Sequence, residues 1–207
     1  MIGIIDYGAG NLFSVENALT HLSIPAEVVH DPKKLASYSG LLLPGVGAYG
    51  DAMARLSERG LAEETKRLAL AGKPLMGICL GMQLLFEGSE EFGSNAGLAL
   101  IPGRVVKIQA PGCKIPHMGW NDLAVEHPCA LAGEECSGAF VYFVHSFRVD
   151  CPDEYVSLST QYGERIPALV YKDRIFGAQF HPEKSGEIGL SMLARFAALC
   201  ENKGERA

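Results

Sequence analysis

The chain has 207 residues, enough to bury one α/β core and few for two, and its 48% hydrophobic and 20% charged residues are those of an ordinary globular protein. A net charge of −6, no basic block and only 8% aromatic residues give nucleic-acid binding no support. No apolar stretch approaches the roughly 20 residues of a membrane span, and the six cysteines form neither a C-x-x-C pair nor a Cys/His run with zinc spacing.

The opening Met1-Ile2-Gly3-Ile4-Ile5-Asp6 has no basic leader segment, and Asp6 interrupts its apolar run. A cytoplasmic location with reduced thiols is therefore expected. Ile2 to Ile5 reads as a strand, and Asn11 to Leu22 as a helix with Leu12, Val15, Leu19 and Leu22 on one face. Asn11 or Gly10 is the candidate cap. The loop between them, Asp6-Tyr7-Gly8-Ala9-Gly10, invites a dinucleotide reading but lacks the third glycine, because position 13 is Phe. It reads better as a loop at the sheet's functional edge, with Asn11 and Ser14 as polar groups. Ala26 to Val29 and Leu41 to Leu43 are further strands, the latter ended by Pro44-Gly45-Val46-Gly47. Ala52 to Leu70 holds one or two helices broken near Gly60, and Leu75 to Ile78 is a fourth strand. Strand and helix alternating around continuous apolar strands predict a parallel sheet covered on both faces.

Beyond residue 83 the pattern changes. Arg104 to Ile108, Phe140 to Val144, Val156 to Thr160, Ala168 to Tyr171 and Ile175 to Gln179 are strand-like, and hairpins are expected to dominate, one across Lys172-Asp173-Arg174. A helix, Ile188 to Cys200, carries Ile188, Met192, Phe196 and Leu199 near one face, and Glu201 to Ala207 is a polar tail. With no repeat, low-complexity tract or linker, residues 1–207 are expected to form one α/β domain: a largely parallel twisted sheet flanked by helices, with antiparallel additions in the second half.

The most informative run is Pro74-Leu75-Met76-Gly77-Ile78-Cys79-Leu80-Gly81-Met82-Gln83. It reads as a buried strand that breaks at a cysteine between two glycines and continues into a helix, the layout of a nucleophile elbow with sulfur as the nucleophile. Such a turn is too tight for Cβ atoms on its flanks, and a helix N-terminus favours thiolate. A hundred residues on, Gln179-Phe180-His181-Pro182-Glu183 ends an apolar strand. In extended chain His181 and Glu183 share a side, so the carboxylate can orient the ring and leave one nitrogen for the cysteine proton. Pro182 helps hold His181 extended. Gly45-Val46-Gly47 follows a strand at the carboxyl edge of the sheet, where ligands bind and where backbone N–H groups can meet an oxyanion, with the N–H of Leu80 as second donor. His21, His30 and His127 read as surface residues. His145, in Phe143-Val144-His145-Ser146-Phe147, is the rival base, but no carboxylate stands beside it. The only tryptophan, in His117-Met118-Gly119-Trp120-Asn121, is either a core residue or part of an exposed recognition loop.

Gly77-Ile78-Cys79-Leu80-Gly81-Met82-Gln83, Pro44-Gly45-Val46-Gly47 and His181-Pro182-Glu183 resemble the class I (triad) glutamine amidotransferases, whose fold is flavodoxin-like. Within that class, Ile5 to Asn11, Pro116 to Asn121 and Tyr142 to Phe147 resemble the glutaminase subunits of imidazole glycerol phosphate synthases, and the match runs over essentially the whole chain. The resemblance implies a Cys79–His181–Glu183 triad that hydrolyses glutamine to glutamate and ammonia through a γ-glutamyl thioester, with Val46, Gly47 and Leu80 at the oxyanion. Gln83, and backbone at Gly45 to Gly47, around Glu91 and at His145, Ser146 and Phe147, would hold glutamine. Asn11, Trp120, Tyr142 and Lys184 would face a (β/α)8-barrel cyclase subunit, the partner in a heterodimer, which receives the ammonia and makes imidazole glycerol phosphate and aminoimidazole carboxamide ribotide. No cofactor or metal is implied, and neither a nucleic acid nor a membrane is expected as partner. The rivals are an amidotransferase subunit for pyridoxal phosphate, purine or anthranilate synthesis, and a free-standing γ-glutamyl hydrolase or cysteine peptidase on the same elbow.

Overall fold

Strands that are apolar at every position need cover on both faces, and the sheet is built around that need. The computed structural model describes residues 1–201. In chain order the first strands are β1 (Ile2–Ile5), β2 (Ala26–Val29), β3 (Gly40–Gly45), β4 (Leu75–Cys79), β5 (Gly88–Ser89), β6 (Asn95–Ala96) and β7 (Arg104–Lys107). They are followed by β8 (His117–Asp122), β9 (Ala124–Val125), β10 (Phe140–His145), β11 (Phe147–Asp150), β12 (Val156–Tyr162), β13 (Glu164–Lys172) and β14 (Ile175–Ala178). The helices are α1 (Leu12–His21), α2 (Tyr49–Glu58), α3 (Leu61–Leu70), α4 (Leu80–Gln83) and α5 (Gly186–Glu201). Residues 202–207, most of the expected polar tail, lie outside the described residues.

The main sheet has the order β2-β1-β3-β4-β14-β13-β12-β9. From β2 to β14 neighbours are parallel, and β13, β12 and β9 continue it antiparallel. Successive side chains go to opposite faces. Ile2, Ile4, Leu42, Met76 and Ile78 pack with Val15 and Leu19 of α1 and Met192 and Phe196 of α5. Ile5, Leu41, Leu43 and Leu75 pack on the other side with Leu56 of α2 and Leu61 and Leu68 of α3. The parallel half thus follows the expected strand–helix alternation. Gly60 takes φ +69 between α2 and α3, which is why a glycine breaks that helical stretch. Asn11 caps α1, its Oδ1 accepting from the N–H of Ser14 at 3.4 Å.

In the second half the expectation that hairpins dominate needs correction. β13 and β14 do turn across Asp173 and Arg174, and β12 and β13 across Gly163. The other large antiparallel pairs are long-range: β8 with β10, and β7 with β11. The chain between β8 and β10 detours to place β9 at the end of the main sheet, so the two strands meet only in the tertiary fold. Trp120 is neither a core residue nor on a loop. It lies on β8, 55% exposed, directly opposite Tyr142 of β10.

Candidate active site

β4 ends at Cys79, whose backbone sits at φ 54, ψ −111, a conformation L-residues rarely adopt. Two glycines make that turn possible. A Cβ on Gly77 would lie 2.5 Å from the carbonyl oxygen of Gly81, and one on Gly81 would be driven into the carbonyl oxygen of Leu43 in β3. The helix that follows is one turn, Leu80–Gln83, shorter than the elbow pattern suggests, because the chain then folds back through Leu84–Leu85–Phe86 into the core. The turn projects Cys79 into a cleft of about 340 Å³, at the small end of the roughly 300–1,000 Å³ of small-molecule pockets. Val46, Gly47, Leu80, Gln83, Glu91, His145, Ser146, Phe147 and His181 also line it.

His181 reaches the same cleft from the end of β14. It is extended at φ −98, ψ 96, as a residue before proline should be, but the chain then turns through a 3-10 segment, Pro182–Lys184. That turn, rather than two residues of continuous strand, brings Glu183 beside it, with His181 Nδ1 and Glu183 Oε1 2.8 Å apart. Carboxylate oxygens only accept, so Nδ1 carries the proton and Nε2 is left toward the cleft. Among the described residues Nε2 makes no other hydrogen bond. Burial alone would lower the ring's pKa, but the Cys79 sulfur beside it and Glu183 outweigh burial and raise it to about 9. At neutral pH the imidazole therefore holds its proton. With a folded value above the ordinary 6.5, its contribution to stability is fully present below pH 6.5 and fades as pH rises through about 9. Glu183→Gln is expected to lower that titration toward the ordinary value, which histidine NMR read against pH will detect; an unmoved titration would mean that the carboxylate does not act on the ring.

His145 also lines the cleft but is not placed to be a base. Its Nδ1 donates to the carbonyl of Phe147 at 2.8 Å, and its Nε2 lies 3.0 Å from Nδ1 of His117. Both nitrogens are engaged, and burial holds the ring down at about 3.

Around Cys79 the polar groups form a network that the sequence did not disclose. Gln83 Nε2 donates to the Phe147 carbonyl at 2.9 Å and to Gln179 Oε1 at 3.0 Å. Gln179, fully buried, points its own Nε2 at the Cys79 sulfur at 4.0 Å. A buried glutamine at the end of an apolar strand was the available signal. Glu91, in the cleft lining, is tied down through both backbone and side chain. Its N–H donates to Ser89 Oγ, its carbonyl accepts from Asn95 Nδ2, and its carboxylate Oε2 accepts from the N–H of Tyr49 at 2.7 Å. That bond caps α2, whose own N-cap, Ala48, has no side chain to do so. Gly45 is not in the cleft lining. It pairs with Cys79 across β3 and β4, and a Cβ there would meet the hydroxyl of the buried Tyr7 at 2.5 Å. Gly47, with φ +103, and Val46, 45% exposed, form the cleft's rim.

Outside the cleft, Trp120 stands edge-on to Tyr142 with centroids 6.2 Å apart, and Lys184 Nζ lies 5.9 Å from the Tyr142 ring. Tyr142 is in turn 6.4 Å from the His181 ring. Backbone ties fix this: the N–H of His181 donates to the Tyr142 carbonyl, and Ser185 Oγ accepts from the Tyr142 N–H while donating to the His181 carbonyl. Asn11 is engaged as the cap of α1, its Oδ1 accepting from the N–H of Ser14. Among the described residues no group of three or more His, Cys, Asp or Glu side chains could hold a metal ion, all six cysteines are free thiols, and no helix is long and apolar enough to cross a membrane.

Comparison with known proteins bears on what such a site does. Residues 3–199 match the family described as glutamine amidotransferase class-I. The chain is 53% identical over 197 residues to the imidazole glycerol phosphate synthase subunit HisH of Desulfitobacterium hafniense (strain DSM 10664 / DCB-2), covering 95% of this chain and 93% of that protein. It is 50% identical over 201 residues to the subunit of the same name from Bacillus cereus (strain ATCC 14579), covering 97% and 96%. Among solved structures, one titled as PurLQS from Thermotoga maritima superposes with a TM-score of 0.76 at 24% identity, over 96% of this chain and 97% of that one. A glutamine amidotransferase crystal structure superposes with the same score at 20% identity, over 97% and 99%. These two likenesses establish the α/β fold.

Proposed function

The chain belongs to the class-I glutamine amidotransferases, and we propose that within that family it is the glutaminase subunit of an imidazole glycerol phosphate synthase, docked on a cyclase subunit. The observation that carries the reading is the join between two surfaces. The nucleophile, its histidine and its carboxylate line or adjoin one cleft, and through Tyr142 the histidine is tied to an exposed aromatic ribbon that bears Trp120 and Met118, 55% and 60% exposed. A hydrolase acting alone has no use for such a ribbon beside its triad; a supplier of ammonia to a second protein does.

The chemistry runs as follows. The Cys79 sulfur attacks the side-chain amide carbon of glutamine. Oxyanion charge is met by backbone N–H groups at Val46–Gly47 and Leu80. His181 gives its proton to the departing nitrogen, so ammonia leaves and a γ-glutamyl thioester remains. Water, deprotonated by His181, then attacks the thioester and releases glutamate and free Cys79. Glu183 holds the ring in one tautomer throughout. Gln83, Glu91 and the 145–147 segment hold the amino-acid end of the substrate. Free ammonia becomes mostly ammonium in neutral water, which is unreactive as a nucleophile, so delivery across a sealed interface at Trp120, Tyr142 and Lys184 preserves it. Gly47 permits peptide rotation at the oxyanion loop, which offers the cyclase a means to switch the site on.

Glutamate release by the purified chain is expected to be slow alone and to rise at least about tenfold with an imidazole glycerol phosphate synthase cyclase and its ribotide, a lowering of the barrier by ~1.4 kcal/mol or more. Trp120→Ala should weaken that response while leaving the slow basal rate. Fast hydrolysis alone, with no response to the cyclase, would point instead to another synthase or a free-standing hydrolase.

A further inference from the structure

His117 has no part in the chemistry above, yet it is buried, and its hydrogen bonding is fixed by an unbroken chain of logic. The Phe147 carbonyl can only accept, so His145 Nδ1, 2.8 Å away, carries a proton. In a neutral ring Nε2 is then a lone pair, and the partner 3.0 Å from it, His117 Nδ1, must donate. Both rings are thereby held as Nδ1–H tautomers. Burial keeps both neutral, at about 4 for His117 and about 3 for His145. The His117 ring itself is clamped flat between Phe143 and Tyr162, with centroids 4.6 and 3.9 Å away. The Phe147 carbonyl at the end of this relay is also the acceptor for Gln83, which bonds Gln179, which faces Cys79.

We propose that His117 is a positioning residue for the cleft: by donating to His145 it sets the orientation of the Phe147 peptide, and with it the wall against which glutamine is held. The inference rests on the glutaminase reading for its readout but not for its geometry. His117 lies on β8, the strand that also carries Met118 and Trp120, so the same strand supplies the exposed ribbon and the inner brace of the pocket.

Two measurements test it. In the full chain, nitrogen-15 histidine NMR at neutral pH is expected to find Nδ1–H tautomers at both His117 and His145; an Nε2–H form at either overturns the proposal. In the complex with cyclase, His117→Phe keeps the stacked ring but removes the donor, and is expected to raise the KM for glutamine about tenfold, the scale of one buried hydrogen bond left unmade, with kcat little changed. His117→Asn, whose amide N–H falls near the position of Nδ1, should restore most of the loss. Ammonia-dependent synthesis should be the same in all. An unchanged KM in a folded His117→Phe protein, or a His117→Asn protein as impaired as His117→Phe, would assign the residue a packing role only. Should His117→Phe fail to fold, the tautomers and the His117→Asn kinetics decide. Absence of any glutamine hydrolysis by the wild-type complex would remove the glutaminase reading and leave the tautomer result standing.

Discussion

Cys79→Ala is expected to lower glutamine hydrolysis on the order of 10⁴-fold or more, while ammonia-dependent synthesis by the partnered cyclase continues at its wild-type rate. The two rates separate because the sulfur is needed only to liberate ammonia, and ammonia supplied from solution enters after that step. The cleft would otherwise survive: Cys79 is small and buried, its sulfur lies beside His181 and makes long contacts to the Val144 carbonyl and Gln179, and alanine removes one atom from the site. Cys79→Ser should behave alike, since a hydroxyl beside His181 is far less readily deprotonated than a thiol. Assaying both nitrogen sources on the same complex settles it. Loss of both activities would mean that Cys79 serves the fold or the docking of the partner rather than the bond-making step.

Gly81→Ala is expected to destabilise the chain by more than about 3 kcal/mol, and in a protein of this size to prevent folding at growth temperature. The reason is backbone against backbone. The added methyl would overlap the carbonyl oxygen of Leu43, and both atoms belong to elements pinned on each side, β3 by its pairing with β4 and α4 by the turn at Cys79. No side chain can rotate away to relieve it. Gly47→Ala is the control: nothing lies within 4 Å of its Cβ, so the cost is that of a positive φ alone, about 1–2 kcal/mol. Denaturant midpoints of the two variants will rank them. If Gly81→Ala unfolds no earlier than Gly47→Ala, β3 and the elbow are less tightly apposed than the structure has them.

Much of the site could be read from the chain because its strongest constraints are local. The strand–cysteine–glycine turn is specified by residues within a few positions of one another, as is the proline that keeps His181 extended. Gln179 escaped notice because nothing next to it in sequence marks it; its partners, Gln83 and Cys79, are about a hundred residues away. Glu91 was expected to act through its backbone, and only the fold shows its carboxylate capping α2 across 42 residues. The case of Trp120 is similar, since nothing around it in sequence marks β8 or the partner strand that decides which face meets solvent.

The sequence by itself determined the parallel α/β core, the elbow and the order of nucleophile, base and orienting carboxylate, because apolar periodicity and the steric demands of glycine and proline act over short stretches of chain. Only the tertiary structure decided that His145 is tied to His117 and so unavailable, that Gln179 faces the nucleophile, and that an exposed aromatic ribbon adjoins the triad. Those outcomes depend on which distant strands pair and in what register, and a hydrogen bond between groups tens of residues apart leaves no mark on the residues around either end.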